Sequence, residues 1–134
     1  MKSDKVELKI PARPEFLRVV RLLISGYVSR MDVSVDEVEN LKVAVSEACN
    51  SSMQESDGNS EGTITISCWE KSGEIVVEVR DKGVKTGPDG ADEDEMAERG
   101  LGFLLIQTLM DDVDISSEPG KGTKIVMKKK ITAA

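Results

Sequence analysis

The spacing of the apolar residues changes several times along this chain between the period of a β-strand and that of an α-helix. Short segments in which every second residue is apolar predict half-buried strands, and longer segments with apolar residues three or four apart predict amphipathic helices. The segments follow one another in the order β-α-α-β-β-loop-α-β-β, and no internal repeat is visible. This order predicts an α+β fold, a two-layer α/β sandwich in which helices cover one face of a mainly antiparallel sheet.

Local signals place the predicted elements. Ser34 and Glu37 have the spacing of a capping box at the start of the second helix, and Lys71-Ser72-Gly73 is typical of a hairpin turn. Residues 82–99 are rich in Gly, Pro, Asp and Glu, and a loop of this length is typical of a functional lid or a disordered segment. The predicted strands span residues 5–10, 63–69, 75–81, 113–117 and 123–131, and the predicted helices span 15–31, 34–52 and 100–112.

The size and charge of the chain limit its functions. A chain of 134 residues is long enough for one core and too short for two, so residues 1–134 are expected to form a single domain. Its net charge of −7 argues against direct binding of nucleic acid. No apolar run has membrane-spanning length, and no signal-peptide core follows the N-terminus. With Cys49 and Cys68 as its only cysteines, the chain fits a reduced, cytoplasmic setting.

Histidine is absent from the chain. The usual general base, the Ser–His and Cys–His nucleophile systems and the commonest zinc ligand are therefore excluded. Any chemistry must use carboxylates, lysines, hydroxyls, amides or backbone groups.

Two glycines stand at the start of the third predicted helix, in the segment Arg99-Gly-Leu-Gly-Phe-Leu104. A helix N-terminus exposes unpaired backbone N–H groups and a partial positive charge, which favour a phosphate group. Glycine also lets a ligand approach the backbone closely. A single G-x-G is weak evidence, because many helices begin after a glycine. A second pair upstream, Asp81 and Gly83 at the end of a predicted strand, strengthens the hypothesis of a ligand site.

Further polar residues point to the same site. Glu47 lies off the apolar stripe of the second helix, and Gly122-Thr123 leads into the last strand. A carboxylate, a strand-end Asp, a phosphate-binding turn and a hydroxyl together are typical of a nucleotide site. Each feature has a structural alternative, since Glu47 could be an ordinary solvated carboxylate and Asp81-Lys-Gly83 a simple turn. The joint order and spacing of the features favour the nucleotide site.

These motifs resemble those of the GHKL ATPases, which share the Bergerat fold, and within them the anti-sigma-factor serine kinases of the RsbW/SpoIIAB type. The resemblance covers nearly the whole chain, and its motifs are specific only when taken together. The motifs are Ile10-Pro-Ala12, Leu41-Lys-Val-Ala-Val-Ser-Glu-Ala-Cys49, Asp81-Lys-Gly83, Gly100-Leu-Gly-Phe-Leu104, Leu109-Met-Asp-Asp-Val113 and Gly122-Thr123.

The resemblance implies that the chain binds ATP or ADP together with Mg²⁺. It implies that Asp81 accepts a hydrogen bond from the adenine amino group, that Gly83 lies beside the base and that Thr123 lies near Asp81. The phosphates, by the same resemblance, are held by the backbone of Gly100, Leu101 and Gly102.

The catalytic part of the family pattern is only partly present. By the resemblance, Glu47 is the general base that polarises the substrate serine hydroxyl. The family places an Asn four residues later as the magnesium ligand, whereas here Ser51 holds that place and Asn50 comes one residue early. A serine hydroxyl can bind Mg²⁺ but is shorter, and Asn50 could reach the metal after a small helix adjustment. Glu55 replaces the family His and adds a negative charge near the triphosphate.

Three alternatives for the function stay open. The resemblance implies an anti-sigma factor that acts as a homodimer, sequesters a sigma factor and phosphorylates a STAS-domain anti-anti-sigma factor, with residues 15–31 as the candidate partner surface. The second alternative is a nucleotide-binding partner-switch module with weak or absent kinase activity, because the Asn ligand is displaced. The third and more remote one is an ATPase or histidine-kinase-type catalytic domain separated from its partner. The chain itself has no histidine that could accept phosphate.

Overall fold

The fold is seen in a computed structural model that describes residues 4–55, 62–81, 93–118 and 122–131. None of the helices in these ranges is both long and apolar enough to cross a bilayer. The helices are α1 (Leu17–Val28), which follows a short 3-10 helix at Pro14–Phe16, α2 (Val35–Glu55) and α3 (Glu93–Leu109). The strands are β1 (Val6–Pro11), β2 (Thr63–Lys71), β3 (Glu74–Asp81), β4 (Asp112–Glu118) and β5 (Gly122–Lys130).

The strands form one sheet in the order β1-β2-β3-β5-β4, and every neighbouring pair is antiparallel. After β3 the chain passes through α3, forms the edge strand β4 and returns to pair β5 with β3. The end of β3 therefore lies beside the start of β5, with Arg80 opposite Lys124. The antiparallel sheet and its helices confirm the predicted two-layer sandwich.

The core lies between α2 and one face of the sheet. On β2 the side chains of Ile64, Ile66 and Cys68 share this face and are fully buried, as their alternation predicts. On α2 the side chains of Leu41 and Val45, one turn apart, are also fully buried. Burial contributes about 1.5–3 kcal/mol for each large apolar side chain, so this interface holds α2 against the sheet.

The capping box predicted at the start of α2 is present. The Ser34 backbone N–H donates to Glu37 Oε1 at 3.0 Å, and the Glu37 backbone N–H donates to Ser34 Oγ at 3.1 Å. The two bonds satisfy donors that a helix start would otherwise leave unpaired. They fix the residue at which α2 begins, and with it the place of Glu47 along the helix.

The predicted turn between β2 and β3 is also present. Ser72 and Gly73 have φ angles of +52° and +79°. Two positive φ angles are typical of the type I′ turn, whose twist matches that of the two strands it joins. The turn sets a register that places Asp81 opposite Ile64 at the far end of the hairpin.

Helix α3 differs from the prediction at both ends. It begins at Glu93 instead of Gly100 and ends at Leu109, before the predicted end at Asp112. The prediction was wrong because it treated the glycines as a start signal, although residues 93–99 are acidic at first and contain good helix formers. The remainder of the predicted lid, residues 82–92, lies outside the described residues.

Candidate functional site

Asp81 ends β3 on the helix-covered face of the sheet. Its opposite residue, Ile64, is fully buried there, and Asp81 itself is only 6% exposed. A buried carboxylate needs hydrogen-bond donors, and the backbone N–H of Thr123 donates to Asp81 Oδ1 at 3.1 Å. The structure therefore brings Asp81 and Thr123 together, while their role toward a nucleotide stays a prediction. Gly83, predicted to lie beside the base, is outside the described residues.

The side chain of Thr123 extends this contact to the edge strand. Its hydroxyl donates to Ser117 Oγ at 3.3 Å, and Thr123 is itself buried. The sequence analysis missed Ser117. Its alternation with Val113 and Ile115 places the three on one face of β4, and the β4–β5 register pairs Ser117 with Thr123. The register of this hairpin is the signal that could have identified Ser117.

Glu47 and Gly102 meet where α2 packs against α3. A Cβ atom built on Gly102 would lie 2.9 Å from Glu47 Oε1, closer than real Cβ atoms come to their neighbours. The carboxylate oxygen therefore occupies the space that a side chain at position 102 would need. Glu47 is half-buried in this position. Two residues that the sequence analysis assigned to one site are thus direct neighbours, although they lie on different helices.

The backbone of Gly100, Leu101 and Gly102 lies inside α3, about two turns beyond its first residue. In an α-helix each of these N–H groups faces the carbonyl of the residue four positions earlier. They are therefore not the unpaired donors of a helix N-terminus, and the prediction that they open the helix was wrong. In this conformation, binding of phosphate by these N–H groups requires the first turns of α3 to rearrange.

Asn50 and Ser51 follow Glu47 by three and four residues, so the three side chains lie on one side of α2. Both are half-buried. Their amide and hydroxyl oxygens are ligands of the type that Mg²⁺ accepts alongside water and phosphate. Within the described ranges, no three or more Asp, Glu, Cys or His side chains cluster as a metal site. The residues therefore fit a Mg²⁺ that is held largely by a bound phosphate chain.

Cys49 follows Glu47 closely on α2 but is not a candidate nucleophile. It is fully buried, and the loss of solvent raises the pKa of its thiol to about 12. Burial likewise raises the pKa of Cys68 on β2 to about 12. Because the thiolate is the reactive form of cysteine, both side chains are inert thiols near neutral pH.

Known proteins resemble this chain in sequence along most of its length. The chain matches the histidine kinase-like ATPase domain family over residues 10–129. It is 37% identical to the serine-protein kinase RsbW of Bacillus subtilis (strain 168), in an alignment that covers 88% of this chain and 81% of that protein. It is 32% identical to the anti-sigma F factor of Clostridium acetobutylicum, in an alignment that covers 97% of this chain and 96% of that protein. These matches confirm the resemblance drawn from the motifs.

Two solved structures share the fold. The RsbU and RsbW domains of a Mycobacterium tuberculosis protein match with a TM-score of 0.74 at 14% identity, over 98% of this chain and 33% of that chain. The histidine kinase domain of a blue-light activated histidine kinase from Erythrobacter litoralis matches with a TM-score of 0.59 at 21% identity, over 91% of this chain and 62% of that one. The chain thus spans less than two thirds of each of these longer chains, and the likeness confirms the fold alone.

Proposed function

Because the chain belongs to the histidine kinase-like ATPase domain family, we propose that it is an anti-sigma factor with ATP-dependent protein serine kinase activity. Relatives that align with most of its length carry the names serine-protein kinase RsbW and anti-sigma F factor. We propose further that residues 1–134 act as one ATP-binding domain. The observation that carries the proposal is the buried carboxylate of Asp81, fixed by the Thr123 backbone at the end of β3.

The Asp81 carboxylate suits recognition of adenine. One of its oxygens is oriented by the Thr123 N–H, and an ionised carboxylate has room to accept several hydrogen bonds. Adenine offers an exocyclic amino group as donor. A hydrogen bond from that group to a buried carboxylate is stronger than one between two neutral groups, because the acceptor is charged. This supports a pocket that recognises the base of ATP and ADP alike.

Glu47 is the candidate general base. When bound with Mg²⁺, ATP supplies an electrophilic γ-phosphoryl group whose charge the metal partly neutralises. The Glu47 carboxylate would accept the proton of a substrate serine hydroxyl, which raises the nucleophilicity of the serine oxygen. Asn50 and Ser51, on the same side of α2, are the residues that would hold the metal. Positioning by these three side chains is the contribution of α2 to the reaction.

A partner-switch module that binds nucleotide but transfers phosphate slowly is the second candidate. Ser51 favours it, since a hydroxyl reaches less far from the helix than the amide that the family has at this place. A weaker metal ligand lowers the stabilisation of the transition state more than the affinity for nucleotide. Detectable binding with slow transfer is therefore the expected behaviour.

The proposed partners are a sigma factor and a STAS-domain anti-anti-sigma factor, bound by a cytoplasmic homodimer. Helix α1 is the candidate contact surface. Its side chains Val19 and Leu22 are 41% and 71% exposed, next to the exposed Arg18. Large apolar side chains grouped on a surface are typical of protein–protein contacts.

Titration with ATP and ADP, with and without Mg²⁺, tests the proposal together with a phosphotransfer assay on the STAS-domain protein of the native host. Binding with transfer supports the kinase, and binding without transfer supports the switch module. Absence of nucleotide binding contradicts both. Co-purification from the native host that recovers neither a sigma factor nor a STAS-domain protein would refute the proposed partners.

A further inference from the structure

The two glycines of the Gly100-Leu-Gly102 segment differ in their surroundings. A Cβ atom on Gly102 would lie 2.9 Å from Glu47 Oε1, whereas a Cβ atom on Gly100 would meet, among the described parts of the chain beyond its own helix backbone, no heavy atom within 4 Å. Both residues lie inside α3, where φ is negative and any residue can be accommodated. The backbone conformation therefore requires glycine at neither position. Of the two, Gly102 alone has a neighbour among the described side chains that a new side chain would displace.

A glycine in the interior of a helix destabilises it relative to alanine. At Gly102 the lower helix stability goes with a specific contact, because the absence of a side chain leaves space that a carboxylate from α2 occupies. A phosphate-binding role of the Gly102 backbone does not account for the contact, since alanine keeps the same N–H group. What alanine cannot keep is the space that Glu47 Oε1 occupies.

We propose that Gly102 is a positioning residue for Glu47. Because Gly102 has no side chain, it leaves a space that holds the Glu47 carboxylate in the orientation needed for catalysis. The proposal rests on the proposed function, in which Glu47 is the general base. In that step Glu47 takes the serine proton, the serine oxygen forms a bond to the γ-phosphorus, and the bond from phosphorus to the β,γ-bridging oxygen breaks. The electron pair of the broken bond leaves with ADP. A base acts only within hydrogen-bond reach of its proton, so the position of Oε1 sets the rate.

Thermal unfolding of a double-mutant cycle tests the contact without any kinase assay. In the Glu47→Ala background the carboxylate is gone, and Gly102→Ala should raise the Tm by about 2–5 °C, as expected for a better helix former. In the wild-type background the same substitution must displace the end of the flexible Glu47 side chain, so the Tm should rise by less. The difference between the two shifts measures the coupling of the two residues.

Gly26→Ala is the matched control for this cycle. Gly26 lies in α1, and a Cβ atom there would meet no atom of another described element within 4 Å. Its substitution should shift the Tm equally in both backgrounds. If Gly102→Ala also shifts the Tm equally in both, the two residues are not coupled and the proposal is overturned.

A kinetic experiment then separates positioning from nucleotide binding. Gly102→Ala should lower phosphotransfer to the host STAS-domain protein about tenfold to a hundredfold when MgATP is saturating, so that a change in nucleotide affinity does not enter the rate. Glu47→Asp shortens the side chain and withdraws the carboxylate from the new methyl group. It should lower the rate in the wild-type background but raise it in the Gly102→Ala background.

The outcomes of the kinetic experiment are distinct. An unchanged rate at saturating MgATP, or a Glu47→Asp effect of the same sign in both backgrounds, would overturn the positioning role. If the wild-type protein transfers no phosphate, the proposed kinase function fails. In that case the double-mutant unfolding cycle still shows whether Gly102 positions the Glu47 carboxylate.

Discussion

The two halves of the candidate site are held in different ways. At the end of β3, Asp81 receives a hydrogen bond from the backbone of Thr123, and both residues are buried. At the crossing of α2 and α3, Glu47 lies against the bare backbone of Gly102 and is only half-buried. Strand register fixes the first contact, and the packing of two helices fixes the second.

If Asp81 recognises adenine and Glu47 is the general base, as proposed, this difference separates recognition from catalysis. A strand cannot shift by one residue without turning every side chain to the other face, so the Asp81–Thr123 contact has one geometry. A half-buried carboxylate can rotate, so the position of Glu47 depends on the shape of its neighbour on α3. We therefore expect substitutions at Asp81 to change nucleotide affinity and substitutions around Glu47 to change the rate of transfer.

Removal of the carboxylate of Glu47 has the largest expected effect. Glu47→Ala should lower phosphotransfer by about 10²–10⁴-fold, because the general base is lost. The Kd for ADP should stay within about threefold of the wild-type value. Glu39→Ala removes the same charge from an exposed position on α2 and should change neither quantity. A loss of ADP affinity as large as the loss of rate would contradict the separation of the two halves.

Asp81→Asn should produce the opposite pattern. The loss of a charged acceptor costs about 1.5–3 kcal/mol, so the affinities for ATP and ADP should both fall about tenfold to a hundredfold. Circular dichroism should show an unchanged fold, since Asn keeps an oxygen for the Thr123 N–H. Asp114→Asn, in an exposed position on β4, is the matched control. Unchanged nucleotide affinity in Asp81→Asn would remove Asp81 from the site.

Alkaline pH tests the core that joins the two halves. Burial raises the pKa of Cys49 and of Cys68 to about 12, whereas the pKa of a cysteine thiol in the unfolded chain is about 8.5. The folded state holds these protons more tightly than the unfolded chain. The contribution of the two protonated thiols to the free energy of unfolding is therefore complete below about pH 8.5 and is lost as the pH rises toward 12. The free energy of unfolding in urea should fall by up to about 1.4 kcal/mol per pH unit for each thiol.

The double variant Cys49→Ala/Cys68→Ala supplies the comparison for this titration. Its free energy of unfolding should be lower at pH 7, because two buried side chains become smaller. Its decline between pH 9 and pH 10 should be shallower, because the thiols no longer ionise. An identical decline in the two proteins would show that other groups cause the alkaline loss.

Ser51→Asn has the smallest expected effect and tests whether Mg²⁺ is held at this position of α2. The amide oxygen of Asn extends further from α2 than the Ser hydroxyl and can coordinate Mg²⁺ more readily. The transfer rate should therefore rise by about three- to tenfold. Ser51→Ala removes the hydroxyl and should lower the rate. Affinity for ADP without Mg²⁺ should be unchanged in both variants. A rate that is indifferent to both substitutions would mean that the metal does not lie at Ser51.

The elements that carry local signals were predicted well. Ser34 and Glu37 form the capping box that their spacing indicates, and Ser72-Gly73 forms the expected hairpin turn. The signals of these segments lie within a few residues, so they survive in any fold. The start of α3 was predicted wrongly, because the two glycines were given more weight than the helix-forming residues before them. In the structure α3 continues through both glycines and packs against α2.

The sequence by itself determined which residues are candidates for a nucleotide site, because its motifs resemble those of the GHKL ATPases and the absence of histidine excludes histidine-based chemistry. It could not show that Thr123 donates to Asp81, that Ser117 supports Thr123 or that Glu47 lies against Gly102. These contacts join residues on different strands and helices, and only strand pairing and helix packing bring them together. Local propensity acts over a few residues, whereas the geometry of the site comes from the core that all the elements share.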